Sequence, residues 1–148
     1  MVSIERMMDE HARLTALSNA LMRAASVAPA ADVRAMIADL NRDLVGHLAV
    51  EDSEVYPHLL TVGDTAQREA AQIAMGDFDR LAAAWRNFVE DWTADEIAGD
   101  RELFVEACKS ILSALAARTR IENDILYPLA LRCGTITLRE VSAQRMAG

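Results

Sequence analysis

Four helix-breaking residues divide the chain into four segments of similar length and a short tail: Pro29, Gly63, Gly99 and Gly134. Within each segment the apolar residues recur at the three- and four-residue spacing of an amphipathic helix, while β-branched residues do not cluster as they do in strands. Long helices joined by short connections pack most simply as an antiparallel bundle. The sequence therefore predicts an all-α fold, an antiparallel up-down-up-down four-helix bundle.

The chain has 148 residues, a length that suits a single domain with one hydrophobic core. We expect that domain to span residues 1–148, with helices over about 3–27, 31–61, 64–92 and 100–132. The acidic stretch 90–102 is expected to be a solvated connection between the third and fourth helices. The tail, 134–148, is expected to form a short C-terminal helix or to fray.

The charge balance excludes several classes of partner. Asp and Glu number 23 against 15 Lys and Arg, which gives a formal net charge of −8. Nucleic acids and anionic membrane surfaces both require clustered positive charge, so we expect neither as a partner. Apolar residues in the tail, such as Ile136 and Leu138, leave open a protein partner or a homodimer.

Several motifs with a known chemistry are missing from the sequence. No stretch approaches the ~20 apolar residues of a membrane span, and the first residues lack the apolar core of a signal peptide. The cysteines, Cys108 and Cys133, lack the paired spacing of a disulfide framework or a zinc site, and no glycine-rich nucleotide-binding loop is present. These features predict a reduced, cytoplasmic protein.

An internal repeat relates the second and fourth helical segments at a constant offset. In this repeat Leu40 corresponds to Ile111, and His47 corresponds to Arg118. The next matched positions are Glu51 with Glu122, and Tyr56-Pro57 with Tyr127-Pro128. The repeat predicts a pseudo-symmetric bundle and identifies the positions that correspond in space.

Five polar residues occupy positions in the otherwise apolar stripes that face the bundle interior: His11, His47, Glu51, Arg118 and Glu122. At ~1.5 Å per residue their positions spread over only ~9 Å along the bundle axis, so all five can converge on one layer. A buried carboxylate costs several kcal/mol unless it is paired, hydrogen-bonded or bound to a metal. Imidazoles and carboxylates that converge inside a helical bundle are typical of a non-haem iron or manganese site.

The same residues carry a resemblance to a known family. His11 lies in the motif DEHARL, His47 and Glu51 lie in HLAVEDSEVYP, and Glu122 lies in RIENDILYP. Over residues 3–132 the chain resembles the hemerythrin-like family, also called the HHE cation-binding domain. The resemblance implies that the two histidines are terminal ligands of one metal and that the two glutamates are bridging carboxylates.

The chain departs from the family pattern where the ligands of a second metal are expected. Met75 stands at the position of the third-helix histidine, and Arg118 stands at that of the fourth-helix histidine. A guanidinium cannot deprotonate to become a ligand, and a thioether is a poor ligand for iron. We therefore do not expect a full di-iron centre or the reversible oxygen binding that depends on it.

Three interpretations of the site remain open from the sequence. In the first, one Fe, Mn or Zn ion binds to the two histidines and two glutamates, while Arg118 supplies the positive charge of the second metal. In the second, the core holds no metal, and Arg118 bridges Glu51 and Glu122 as a buried ion pair. In the third, a further ligand such as Asp79 completes a di-iron site.

These interpretations imply different functions. A site of reduced nuclearity favours a regulatory or sensing role over oxygen carriage. The alternative is a metal-binding protein with iron- or oxygen-related sensing, storage or redox chemistry. An enzymatic role is not favoured, and no catalytic residue is assigned, because no open, ligand-rich metal site can be assembled from the sequence.

Overall fold

The computed structural model describes residues 2–61, 63–134 and 136–139. Four long helical rods run through these residues and form an all-α bundle, which confirms the predicted fold class. In chain order the helices are α1 (Ile4–Ala24), α2 (Ala30–Val50), α3 (Tyr56–Leu59), α4 (Thr65–Asp91), α5 (Ala94–Gly99), α6 (Arg101–Ile121) and α7 (Tyr127–Arg132). Two π-helical segments, π1 (Glu51–Val55) and π2 (Glu122–Leu126), join α2 to α3 and α6 to α7.

The rods pack in a ring around one interior. Helix α1 contacts α2 and α6, and α4 contacts α6 and α2. The chain that follows α7 returns to the start of α1, where the backbone N–H of Ile4 donates to the carbonyl of Thr137 at 2.7 Å. Ile136 in this returning stretch is buried, and residues 136–139 form an isolated bridge to Ser3 without a helix. The rest of the predicted tail, 140–148, lies outside the described residues.

Side-chain caps fix where two of the rods begin. The hydroxyl of Ser3 accepts from the backbone N–H of Arg6 at 3.1 Å, which satisfies one of the free donors at the start of α1. At the start of α4, Asp64 and Gln67 each accept from the other's backbone N–H in a capping box. Gly63, directly before this box, has a φ of +84°, a left-handed conformation that favours glycine.

The connection between α4 and α6 is more ordered than the sequence predicts. It contains α5, which begins where the hydroxyl of Thr93 accepts from the backbone N–H of Glu96 at 3.3 Å. Ile97 in this short helix is fully buried in the core. The expectation of a fully solvated connection is therefore wrong, because one apolar side chain of the acidic stretch reaches the interior.

Each π segment ends immediately before a Tyr-Pro pair. Pro57 and Pro128 lie in the first turn of α3 and α7. In a regular α-helix a proline removes one hydrogen bond and its ring clashes with the carbonyl four residues earlier. A wider turn before the proline relieves that clash, so both rods continue beyond their prolines.

Two apolar clusters fill the bundle, one toward each end. The first includes Leu21, Ile37 and Phe104, and the second includes Met7 and Leu126. The predicted polar residues are buried between these clusters, so the polar layer crosses the bundle near its middle. In the described ranges no helix combines the length and apolar character needed to cross a membrane.

Candidate metal centre

The structure brings all five polar residues of the apolar stripes into one buried layer. His11 projects from α1 and His47 from the last turn of α2, while Glu51 is the first residue of π1. Arg118 lies in the last turn of α6, and Glu122 is the first residue of π2. Their exposed fractions are 3%, 4%, 0%, 7% and 1% in that order, so water contributes little to their solvation.

Four of these residues direct ligand atoms at a common point. One atom each from His11, His47, Glu51 and Glu122 lies within 4.8 Å of all the others. The Nε2 atoms of His11 and His47 are 3.0 Å apart, and Nε2 of His47 is 2.7 Å from Oε1 of Glu51. A metal about 2.0–2.2 Å from nitrogen and oxygen ligands places neighbouring ligand atoms roughly 3 Å apart. The donor set therefore fits one metal ion.

Two further side chains orient the histidines. The Nδ1 atom of His11 lies 2.8 Å from Oδ1 of Asn123, and Nδ1 of His47 lies 3.0 Å from Oε2 of Glu10. Both outer partners accept, so each imidazole carries its hydrogen on Nδ1 and, when neutral, its lone pair on Nε2. Two lone pairs that face each other at 3.0 Å repel unless a proton or a cation lies between them. Such outer acceptors are typical of histidines that bind metals.

Arg118 pairs with the oxygen of Glu51 that faces away from His47, and with Oε1 of Glu122, which also lies 3.5 Å from Nε2 of His11. Its Nη2 donates to Oε2 of Glu51 at 2.7 Å, and its Nε donates to Oε1 of Glu122 at 3.3 Å. The guanidinium carbon lies 4.2 Å from the ring centroid of Phe78, which supplies a cation–π contact from α4. A guanidinium has no lone pair to offer, so the residues on this side do not fit a second metal.

Two tyrosine hydroxyls hold the carboxylates in place. Tyr56 donates to Oε2 of Glu51 at 2.9 Å and also contacts Glu122. Tyr127 donates to Oε1 of Glu51, and its hydroxyl lies 3.0 Å from Nε2 of His11. The sequence analysis matched the two tyrosines through the internal repeat but gave them no role in the site. Their position five residues after each glutamate was the signal that could have assigned them to the site.

The electrostatics of the layer follow from its burial and its charges. Burial disfavours the charged imidazole of His11, but the carboxylates of Glu122 and Glu51 outweigh burial and raise its pKa to about 9. Burial and the neighbouring Glu51 raise the pKa of Glu122. Burial also acts to raise the pKa of Glu51, but contacts with Glu122 and the two histidines hold it well below its usual range.

The buried layer carries a net negative charge when its histidines are neutral. With neutral histidines, the carboxylates of Glu51 and Glu122 and the guanidinium of Arg118 sum to one negative charge. Glu10, at the outer edge beside His47, adds a second. Buried charge is costly when uncompensated, so the layer requires protons on its histidines or a cation among its ligands.

Two residues named from the sequence lie apart from the four ligand atoms. Met75 is half-buried and lines a cavity of about 40 Å³ beside Phe78 and Arg118. Asp79 lines the same cavity, but it is exposed and does not belong to the group of four. Phe78, whose ring contacts the guanidinium of Arg118, is a member of the site that the sequence did not identify.

The sequence was also compared with known proteins. A family model described as "Hemerythrin HHE cation binding domain" matches residues 2–130. No curated protein and no solved structure gives a significant match. The matched span includes all four ligand candidates, both π segments and the Tyr-Pro pairs that follow them. The chain therefore belongs to the hemerythrin family of HHE cation-binding domains.

Proposed function

We propose that this protein binds one non-haem metal ion through His11, His47, Glu51 and Glu122, and that occupancy of this site serves regulation or sensing. The observation that carries the proposal is the pair of Nε2 atoms that face each other at 3.0 Å. Asn123 and Glu10 hold the other nitrogen of each ring, so both rings present a lone pair to the same point.

The charge of the layer supports a single divalent ion. Glu51, Glu122 and Arg118 sum to one negative charge when the histidines are neutral, and Glu10, which Arg6 partly offsets at 3.8 Å, adds to it at the outer edge. One divalent cation compensates this negative charge without a second metal. Two imidazoles and two carboxylates suit Fe, Mn or Zn, and such an ion would supply a Lewis-acidic charge at the facing Nε2 atoms.

Arg118 supports a regulatory role over oxygen carriage. Oxygen carriage in this family, as the resemblance implies, depends on two metals, and Arg118 holds the side of Glu51 that faces the second position. With a proton on one of the facing Nε2 atoms, every buried side-chain nitrogen and oxygen in the described ranges has a hydrogen-bond partner within the protein. Such a layer lets the bundle stay folded with and without a cation, so occupancy can be read as a signal.

A metal-free interaction module is the second candidate. It is favoured by the buried ion pair in which Nη2 of Arg118 lies 2.7 Å from Oε2 of Glu51. In this case a proton on His11 supplies the missing charge, in keeping with the raised pKa of that residue. The protein would then act through its surface.

Metal content separates the two candidates. The full chain is purified without chelator, reconstituted anaerobically with Fe²⁺, Mn²⁺ or Zn²⁺, desalted and measured by plasma mass spectrometry. We expect about one equivalent of metal, lost in His47→Ala and retained in the matched control His58→Ala, because His58 is exposed and outside the site. Under about a tenth of an equivalent for all three metals would overturn the proposal in favour of the metal-free module.

The regulatory role has a separate test. Hydrogen exchange is compared between the metal-loaded protein and the same protein in EDTA. We expect occupancy to slow exchange in π1 and π2, since each begins at a ligand, and to leave the first half of α4 unchanged. One equivalent of bound metal with identical exchange in both forms would show that the ion is held without a conformational signal.

A further inference from the structure

A cavity of about 250 Å³ lies along the seam between α1 and α6 and extends from the surface to the polar layer. Leucine side chains from three helices form much of its apolar wall, among them Leu14, Leu44 and Leu112, and hydroxyl-bearing residues such as Ser18 line the wall between them. Its inner end is formed by His11, His47, Arg118 and Glu122. The cavity spans α1 from His11 to Met22, which is ~16 Å at ~1.5 Å per residue.

The two ends of this cavity differ in charge. At the inner end the guanidinium of Arg118 is already paired with Glu51 and Glu122, so it has little positive charge to offer a second anion. The outer end is lined by Lys109, with the amide of Asn19 and the hydroxyl of Ser113 beside it. The side chain of Lys109 is exposed, so its ammonium group is accessible to an anionic head group.

We propose that this cavity binds an aliphatic monocarboxylate of medium chain length, with its chain along the α1–α6 seam and its carboxylate at Lys109. The long apolar wall suits a saturated chain, and the charged mouth suits an anionic head group. The volume of about 250 Å³ lies near the lower end of the usual range for ligand pockets, about 300 to 1,000 Å³, and suits one acyl chain. This proposal does not depend on metal binding.

The first experiment is calorimetric titration of the full-length protein in EDTA with sodium decanoate, kept below its micelle concentration. We expect saturable binding of one decanoate, weaker binding of decan-1-ol, and no binding of butyrate, whose chain is too short to fill the apolar wall. Absence of saturable decanoate binding would overturn the proposal. Equal affinity for decanoate and decan-1-ol would also overturn it, because the carboxylate would then contribute nothing.

Two variants test the orientation. Lys109→Gln is expected to weaken decanoate binding about two- to fivefold, the range of a single exposed ion pair, without changing decan-1-ol binding. The matched control Arg120→Gln removes the same charge from the same helix, outside the cavity, and should bind like wild type. Equal weakening by both variants would show a general charge effect and contradict a carboxylate site at Lys109.

A cavity-filling variant tests the location. Ser18 is half-buried in the α1 wall, and Ser18→Phe adds a ring to the cavity without deleting a packed side chain. We expect this variant to stay folded by circular dichroism and to bind neither decanoate nor decan-1-ol. Retained binding would place the ligand elsewhere. If Ser18→Phe fails to fold, chemical-shift changes of Leu112 and Leu14 on titration of the wild type answer the same question, and their absence would overturn the location.

Discussion

Nη2 of Arg118 donates to Oε2 of Glu51 at 2.7 Å, and both side chains are buried. The other oxygen of Glu51 lies 2.7 Å from Nε2 of His47. This single carboxylate thus separates a basic side of the layer, held by the guanidinium, from a ligand side, where the two imidazoles meet.

Removing the guanidinium leaves two buried carboxylates without their closest cation. We expect Arg118→Ala, measured in EDTA by urea denaturation, to lower the free energy of unfolding by about 3–5 kcal/mol, the cost of breaking a buried pair. The control Arg120→Ala alters an exposed arginine two residues away and should change stability by less than about 0.5 kcal/mol. Equal stability of both variants would show that Arg118 does not compensate the glutamates.

Restoring histidines on the basic side should restore a second metal position. We expect the double variant Arg118→His and Met75→His to raise bound metal from about one to about two equivalents after iron reconstitution. The pair Arg118→His and Met75→Leu is the matched control, because it supplies only one of the two imidazoles. No gain in the double variant would mean that residue 75 on α4 cannot direct a ligand at the glutamates.

Stability without metal should depend on pH through the histidines. The folded-state pKa of His11, about 9, lies above the ordinary histidine value of 6.5, and the pKa of His47 is raised in the same direction. A group with a raised folded pKa stabilises the fold fully below its unfolded pKa and loses this contribution as pH rises through the folded pKa. In EDTA we therefore expect the melting temperature to fall between about pH 6.5 and 9.

The same window should show the opposite trend for metal affinity. Metals compete with protons for Nε2, so Zn²⁺ binding should tighten as pH rises while the metal-free protein weakens. His11→Gln should flatten the stability profile in EDTA, whereas His58→Gln should retain it because His58 is exposed. If the melting temperature of His11→Gln falls with pH as steeply as that of the wild type, groups other than His11 cause the pH effect.

The two tyrosines should differ in their effect on metal binding. Tyr127 contacts Oε1 of Glu51 and Nε2 of His11 on the ligand side, whereas Tyr56 contacts Oε2 of Glu51 on the basic side. We expect Tyr127→Phe to weaken Zn²⁺ binding more than Tyr56→Phe, while each lowers unfolding free energy by about 1–3 kcal/mol by freeing a buried acceptor. Competition with a chromogenic chelator measures the affinities. If Tyr56→Phe weakens Zn²⁺ binding more than Tyr127→Phe, the two oxygens of Glu51 do not belong to separate sides of the layer.

The polar layer could be predicted from the sequence because its residues lie at core positions of amphipathic stripes. His47, Glu51 and their counterparts Arg118 and Glu122 break an apolar pattern that helical periodicity and the internal repeat define independently. Two constraints that agree on the same positions locate a layer without any knowledge of side-chain geometry. The bundle itself follows from the same periodicity.

The outer partners of the histidines, Glu10 and Asn123, could not be predicted from the sequence in this way. Glu10 and Asn123 are half-buried and adjacent in sequence to ligand candidates, so periodicity places them beside the inward stripe. Whether such a residue turns toward the core depends on helix packing angles, which a single sequence does not encode at that resolution. The cation–π contact of Phe78 could not be predicted for a related reason. An aromatic residue at a core position gives the same sequence pattern whether or not a cation packs against its ring.

The π segments set the rotational phase of the helices that follow them. In a regular α-helix each residue advances by ~100°, so a residue five positions after a glutamate points about 140° away from it. A turn closed by an i to i+5 hydrogen bond brings that residue back over the glutamate, and the hydroxyl of Tyr56 reaches Oε2 of Glu51 at 2.9 Å. The hydroxyl of Tyr127 approaches Glu122 in the same way, at 3.5 Å. One extra residue in each turn therefore converts an outward tyrosine into a partner of the buried carboxylates, and deleting that residue would turn both hydroxyls away from the core.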